Sequence, residues 1–125
     1  MIKQLKSSEI KNFINNNKNV ELLDVRTQDE WETIGRPDGE SLGLKTHFIT
    51  IIRSPDPAAN KEFIKEAKKI IDPNKDLLVM CKAGSRSMMA AQLLSQENIE
   101  CINISDGFEG NSESAGWKNE GLPSK

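Results

Sequence analysis

The sequence predicts an α/β protein: one mostly parallel sheet with helices on both faces. Three observations carry this prediction. Apolar segments of strand length alternate with segments of helical spacing along the chain, without an internal repeat. The run Leu77-Leu78-Val79-Met80 is continuously apolar, as in a strand buried on both faces of a parallel sheet. A length of 125 residues, 36% apolar and 29% charged, suits one domain over residues 1–125 and leaves no room for a second catalytic unit.

Ile2 to Leu5 reads as a short edge strand. A helix capped by Ser7 or Ser8 follows, with Ile10, Phe13 and Ile14 at helical spacing, and Asn15-Asn16-Asn17 ends it. Val20 to Val25 is the second strand. Beyond it, Thr27 and Glu30 form a capping box for a helix from about Gln28 to Ile34, with Trp31 and Ile34 facing inward. Charges at a strand end usually link structure, so Asp24 and Arg26 are expected to pair with loop groups. Gly35-Arg36-Pro37-Asp38-Gly39 is turn chemistry, and Leu42 to Ile52 holds a strand near Phe48, Ile49, Ile51 and Ile52. His47, the one histidine, reads as surface or structural rather than as a general base.

Ser54-Pro55-Asp56-Pro57 is a stiff loop before a helix from about Ala58 to Ile71, which has Phe63, Ile64, Ala67, Ile70 and Ile71 on one face. Glu62 and Glu66 interleave with its lysines, which argues against nucleic-acid binding. Asp72 to Lys75 turns the chain into the Leu77 strand. A helix from Met88 to Glu97 and a last strand, Glu100 to Ile104, come next. Cys101 there reads as a small buried hydrophobe rather than a partner for Cys81, because a disulfide needs Cα atoms within about 7 Å. Asp106 to Gly110 reads as a flexible turn, Asn111 to Ser114 as loop, and Trp117 and Leu122 as anchors of the tail.

The chemistry concentrates in Cys81-Lys82-Ala83-Gly84-Ser85-Arg86-Ser87, between the apolar strand and the helix. A cysteine at a strand's carboxyl end faces helix amino termini and unpaired loop N–H groups, which favour anions. Lys82 and Arg86 add cations, Gly84 allows positive φ, and Ser85 and Ser87 can cap the helix or donate hydroxyls. Every residue type in the loop fits an anionic nucleophile or an oxyanion. The net charge of −2 gives no broad field for nucleic acid or membrane. The amino terminus lacks a signal-peptide core and no run reaches membrane-span length, so a cytoplasmic protein is expected. Two cysteines and one histidine make neither a disulfide framework nor a zinc cluster. Protein groups, with no metal or other cofactor, are expected to do the chemistry.

Together these segments resemble a single-domain rhodanese, of the sulfurtransferase family. The resemblance is carried by Leu22-Leu23-Asp24-Val25-Arg26 with Glu30-Trp31, by Cys81 to Ser87, by the small-residue helix Met88 to Leu94, and by Asp106-Gly107-Phe108 followed by Trp117 and Gly121-Leu122-Pro123. It implies five strands, and a Cys81 that takes sulfane sulfur from a small anionic donor such as thiosulfate, becomes a persulfide and passes that sulfur to cyanide, a thiol or a protein acceptor. It further implies that N–H groups from Lys82 to Ser87 hold the anion while Arg86 and Lys82 balance its charge, with Asp24 and Arg26 in support. Gly35-Arg36-Pro37-Asp38-Gly39-Glu40 replaces the family's histidine-containing Gly-His-Ile-Pro-Gly-Ala segment, and Arg36 is a candidate positive charge there.

Two alternatives are weighed against this reading. Cysteine phosphatases and arsenate reductases of related fold have five residues between cysteine and arginine, whereas Cys81 and Arg86 enclose four. A sulfur-carrier or regulatory module would keep Cys81 but turn over only with a partner protein.

Overall fold

The structure, a computed structural model, describes residues 2–51, 60 and 62–125. Its strands are β1 (Lys3–Leu5), β2 (Val20–Asp24), β3 (Lys45–Phe48), β4 (Asp76–Met80) and β5 (Cys101–Ile104). Its helices are α1 (Ile10–Asn16), α2 (Gln28–Thr33), α3 (Phe63–Ile70) and α4 (Ser85–Gln96). The strands form one sheet in the order β1-β5-β4-β2-β3, and every pairing is parallel, where the sequence suggested a mostly parallel sheet. All strand carboxyl ends therefore meet at one edge, and Cys81 follows β4 there.

Side-chain alternation divides the core. Leu23, Val25, Leu77 and Val79 face α3 and α4 through Phe63, Ala67, Ala90, Ala91 and Leu94. Leu22, Leu78, Met80 and Ile104 face α1 and the C-terminal tail through Ile10, Phe108, Trp117 and Leu122. Trp117 is fully buried, and its indole N–H donates to the Pro123 carbonyl at 2.7 Å, so the tail is anchored where the sequence placed it.

Several local expectations are corrected. Ser7 starts a 3-10 turn over Ser7–Glu9 without capping it; its N–H and hydroxyl instead donate to Asp106 Oδ1, at 3.0 and 2.9 Å. Asp106 Oδ2 accepts from Ser114 Oγ and the Gly116 N–H, so a carboxylate with no exposure and four donors fixes the turn read as flexible. Ile34 is 38% exposed, because α2 stops at Thr33 and the chain leaves through Gly35 at φ +111°. Ile70 is also exposed, since Ile71 is extended at the helix end and carries the apolar stripe into the core in its place. The third strand lies earlier than expected. Its polar Lys45-Thr46-His47 is tolerated on a sheet edge, while Ile49 and Ile51 continue as single bonds to β2 residues or their neighbours, to the Asp24 and Val25 carbonyls. Ile52, the Ser54-Pro55-Asp56-Pro57 loop and the expected helix start at Ala58 lie outside the described residues. The asparagine stop of α1 holds: Asn16 and Asn17 side-chain amides donate to the Asn12 and Phe13 carbonyls, orphaned at the helix end.

Candidate active site

The site is built where β4 stops. Met80 ends the strand, Cys81 follows, and Gly84 at φ +115° turns the chain into α4 as its N-cap. A Cβ on Gly84 would stand 2.3 Å from the Ser105 carbonyl oxygen, so only glycine lets the loop lie against the chain after β5. The turn aims the Gly84 N–H at Cys81 Sγ, 3.1 Å away, and brings Ser87 Oγ to 3.3 Å from the same sulfur. Cys81 is 1% exposed. The first i−4 bond of α4 is made by the Met88 N–H to the Gly84 carbonyl, so the N–H groups of Ser85, Arg86 and Ser87 precede the helix ladder.

The back of the loop is clamped. The Phe108 and Glu109 N–H groups donate to the Cys81 and Lys82 carbonyls, at 2.8 and 3.0 Å. Phe108 is fully buried, and the Arg26 guanidinium lies 4.3 Å from its ring centroid. Arg26 is held by Asp24, with Nη2 at 2.8 Å from Oδ2 and Nε at 3.1 Å from both carboxylate oxygens, and by the Gly35 carbonyl. Both charges are wholly buried; where pairing with loop groups was expected, Asp24 and Arg26 bond chiefly to each other, and the Gly35 carbonyl is the loop group that Arg26 reaches among the described residues.

Arg86 has a different neighbour from the one expected. Its two terminal nitrogens lie 2.7 and 2.9 Å from Glu30 Oε1 and Oε2, a bidentate pair. Partial burial would push the Glu30 carboxyl up, but the Arg86 bonds and the Thr27 N–H hold it at about 2. Glu30 thereby does two things: it closes the capping box on α2 and ties the Arg86 guanidinium of α4 to that helix. Lys82 and Ser85 are exposed, and Ala83 is half-buried.

Arg36 is not brought to the loop. It stands 5.6 Å above the Phe48 ring in a separate cleft of about 670 Å³ with Trp31, Asp38, Thr46 and Lys125, to which residues 81–87 do not contribute. His47 is structural as expected, but buried: its Nε2 lies 2.7 Å from Glu21 Oε1. Burial pushes the Cys101 thiol up to about 12, and Cys101 pairs in register with Leu77, four residues before Cys81. Asn103 escaped the sequence reading. It is 2% exposed, accepts from Ser87 Oγ and donates to the Gly84 carbonyl at 3.2 Å. The available signal was one amide in the otherwise apolar run Cys101 to Ile104. Among the described residues, no group of three or more His, Cys, Asp or Glu side chains is placed to hold a metal.

Fold and site together define a small parallel α/β protein whose strand-to-helix loop surrounds a cysteine. The chain belongs to the rhodanese-like domain family, whose model matches residues 7–114. An uncharacterised protein of Rickettsia prowazekii is 34% identical over 98% of this chain and 97% of its own length. Thiosulfate sulfurtransferase 18 of Arabidopsis thaliana is 29% identical over 69% of this chain and 62% of its own. A crystal structure from M. tuberculosis superposes with a TM-score of 0.86 at 29% identity, over 98% of this chain and 96% of that one. No helix among the described residues is long and apolar enough to cross a membrane.

Proposed function

We propose that this protein is a sulfurtransferase working through a Cys81 persulfide. One observation carries the reading: Cys81 Sγ sits at the amino end of α4, within hydrogen-bond reach of the Gly84 N–H and Ser87 Oγ. Helix amino ends and convergent hydrogen-bond donors are a setting in which an anionic group can be bound. The thiolate attacks the outer sulfur of thiosulfate; the S–S bond of the donor breaks and sulfite leaves with the electron pair. Cyanide or a thiolate then attacks the outer sulfur of the persulfide, and Cys81 leaves as thiolate. The Ser85, Arg86 and Ser87 N–H groups hold the donor oxyanion or the persulfide, and Lys82 in the loop supplies charge. The likeness to a thiosulfate sulfurtransferase supports the reaction class.

A second reading, a carrier that exchanges sulfur with a protein partner, is favoured by one feature: Arg86 is already engaged by Glu30, which restrains its use in drawing small anions to the loop.

Intact-protein mass spectrometry after incubation with thiosulfate tests the proposal. Wild type gains about 32 Da, cyanide discharges the adduct as thiocyanate, and Cys81→Ser stays folded and gains nothing. An adduct on Cys81→Ser would sink the mechanism. A wild-type adduct that forms once but turns over only with added protein acceptor would select the carrier.

A further inference from the structure

Ser87 has one hydroxyl proton and three acceptors in reach. Cys81 Sγ lies at 3.3 Å, the Gly84 carbonyl at 3.1 Å, and Asn103 Oδ1 is closer still. One acceptor is served at a time. Asn103 decides which, because its amide is oriented from the other side. Its Nδ2 lies 2.9 Å from Gln4 Oε1 and 3.2 Å from the Gly84 carbonyl, two acceptors for two N–H bonds, so its Oδ1 faces Ser87. In this arrangement the Ser87 proton goes to Asn103, and the sulfur receives only the Gly84 N–H.

The arrangement has an alternative of nearly the same shape. Gln4 is exposed, and its own Nε2 touches only the weak acceptor Met88 Sδ, at 3.8 Å. Turning both amides lets Gln4 donate to Asn103 Oδ1, Asn103 donate to Ser87 Oγ, and Ser87 donate to Cys81 Sγ. The cost is that the Gly84 carbonyl then faces Asn103 Oδ1, although it keeps the Met88 N–H at 3.2 Å. A neutral thiol accepts too weakly to offset that cost. An anionic sulfur does so, because charge-assisted bonds are roughly twice as strong.

We propose that Gln4, Asn103 and Ser87 form an amide relay that withholds the Ser87 proton from the neutral Cys81 thiol and delivers it when the sulfur is anionic. It rests on the reading of Cys81 as the reacting thiol. Asn103 and Gln4 are then positioning residues, acting through Ser87. The charged side chains on the elements around Cys81 are Asp24 and Arg26 behind the loop, Glu30 on α2, Lys82 in the loop, Arg86 on α4, and Asp106 and Glu109 on the turn that clamps the loop; no variant below alters them, and the direct effect of the carboxylate that Gln4→Glu adds is read separately in the Ser87→Ala background.

The test follows the ultraviolet thiolate absorbance of the whole protein through a pH titration, where Cys101, at about 12, stays silent until strongly alkaline pH. Gln4→Glu keeps the shape but cannot donate, so it locks Asn103 Oδ1 on Ser87. The thiolate-to-thiol ratio at a given pH falls roughly tenfold, the worth of one charge-assisted hydrogen bond. Ser87→Ala causes a similar fall, and the two together fall no further. Asn103→Ala has the opposite sign, since the freed Ser87 proton turns to sulfur, and the rise vanishes when Ser87→Ala is added. An unchanged titration in Gln4→Glu, or a fall that persists undiminished in the Ser87→Ala background, would overturn the relay. Gln4 lies at the surface, so its variant leaves the core untouched. Because ionisation is read without any sulfur donor, loss of persulfide formation with these shifts intact would reject sulfur transfer alone.

Discussion

Glu30 and Arg86 bond through both oxygens and both terminal nitrogens while each stays about one-fifth exposed. A pair of that geometry is worth more than an ordinary surface ion pair, and its partners act as a unit. Glu30→Ala and Arg86→Ala should each lower stability by about 1–2 kcal/mol, with the double variant costing little more than Glu30→Ala alone. Urea midpoints for the four proteins check this; additive losses would mean the pair does not hold together in solution. The capping box made Glu30 legible as a helix start, but its second partner lies 56 residues away, beyond any local pattern. Gly107 makes the complementary point. A Cβ there would meet the Lys82 and Cys81 carbonyl oxygens at 2.4 and 2.6 Å, and its φ is +61°. Gly107→Ala should cost about 2 kcal/mol or more and, under the proposed function, slow sulfur transfer by shifting the Cys81 carbonyl. Gly121→Ala, at φ +77° with open space around it, should cost about 1 kcal/mol and leave any such transfer alone. Thermal melts and thiocyanate release on the two variants separate backbone strain from damage to the loop.

Among the elements, β4 was readable because its run from Leu77 to Met80 is unbroken and β2 because Val20, Leu22, Leu23 and Val25 crowd one short segment, whereas β3 was displaced because an edge strand need not be apolar. What joins β3 to the sheet is partly polar. His47 on β3 reaches diagonally to Glu21 on β2, and Glu21 also receives Lys75 Nζ at 3.3 Å, just before β4. Glu21 is 3% exposed, so its carboxylate depends on both partners. His47→Ala should destabilise by about 1–3 kcal/mol by leaving that buried carboxylate half satisfied, while Glu21→Leu with His47→Leu should cost less than His47→Ala alone. Denaturant unfolding of the three proteins gives the comparison, and equal losses would show that packing, not charge, governs the strand. A lone histidine before an apolar run reads as surface or structural, and nothing near it in the sequence tells what it holds. Its partner precedes it by 26 residues and is close only because β2 and β3 run parallel.

Across the whole molecule, the parallel sheet gathers residues from distant parts of the chain at one edge. Ser7 and Asp106, separated by 99 positions, close the first turn of the chain onto the turn that clamps the Cys81 loop. The cysteine, its glycine and its serines were visible in one short window. Asn103 and the Asp106 knot were not, because their partners are assigned by sheet order rather than by spacing. Acid stability tests this gathering. Glu30 has its ionisation lowered from the ordinary 4.5 to about 2, so between those values the unfolded chain binds a proton that the folded one does not. Its contribution is therefore fully present above about pH 4.5 and is lost as pH falls toward about 2. Solvent screening of a partly exposed pair holds that contribution to about 2 kcal/mol or less. Glu30→Gln removes the titrating group but retains an acceptor for the α2 cap, so this variant should be less stable than wild type at neutral pH and approach it as pH falls toward 2. Urea unfolding of both proteins across that range measures the gap. A gap that stays constant with pH would mean that Glu30 stabilises the fold through its shape and cap, and that its charge on Arg86 contributes nothing to holding α2 against the Cys81 loop.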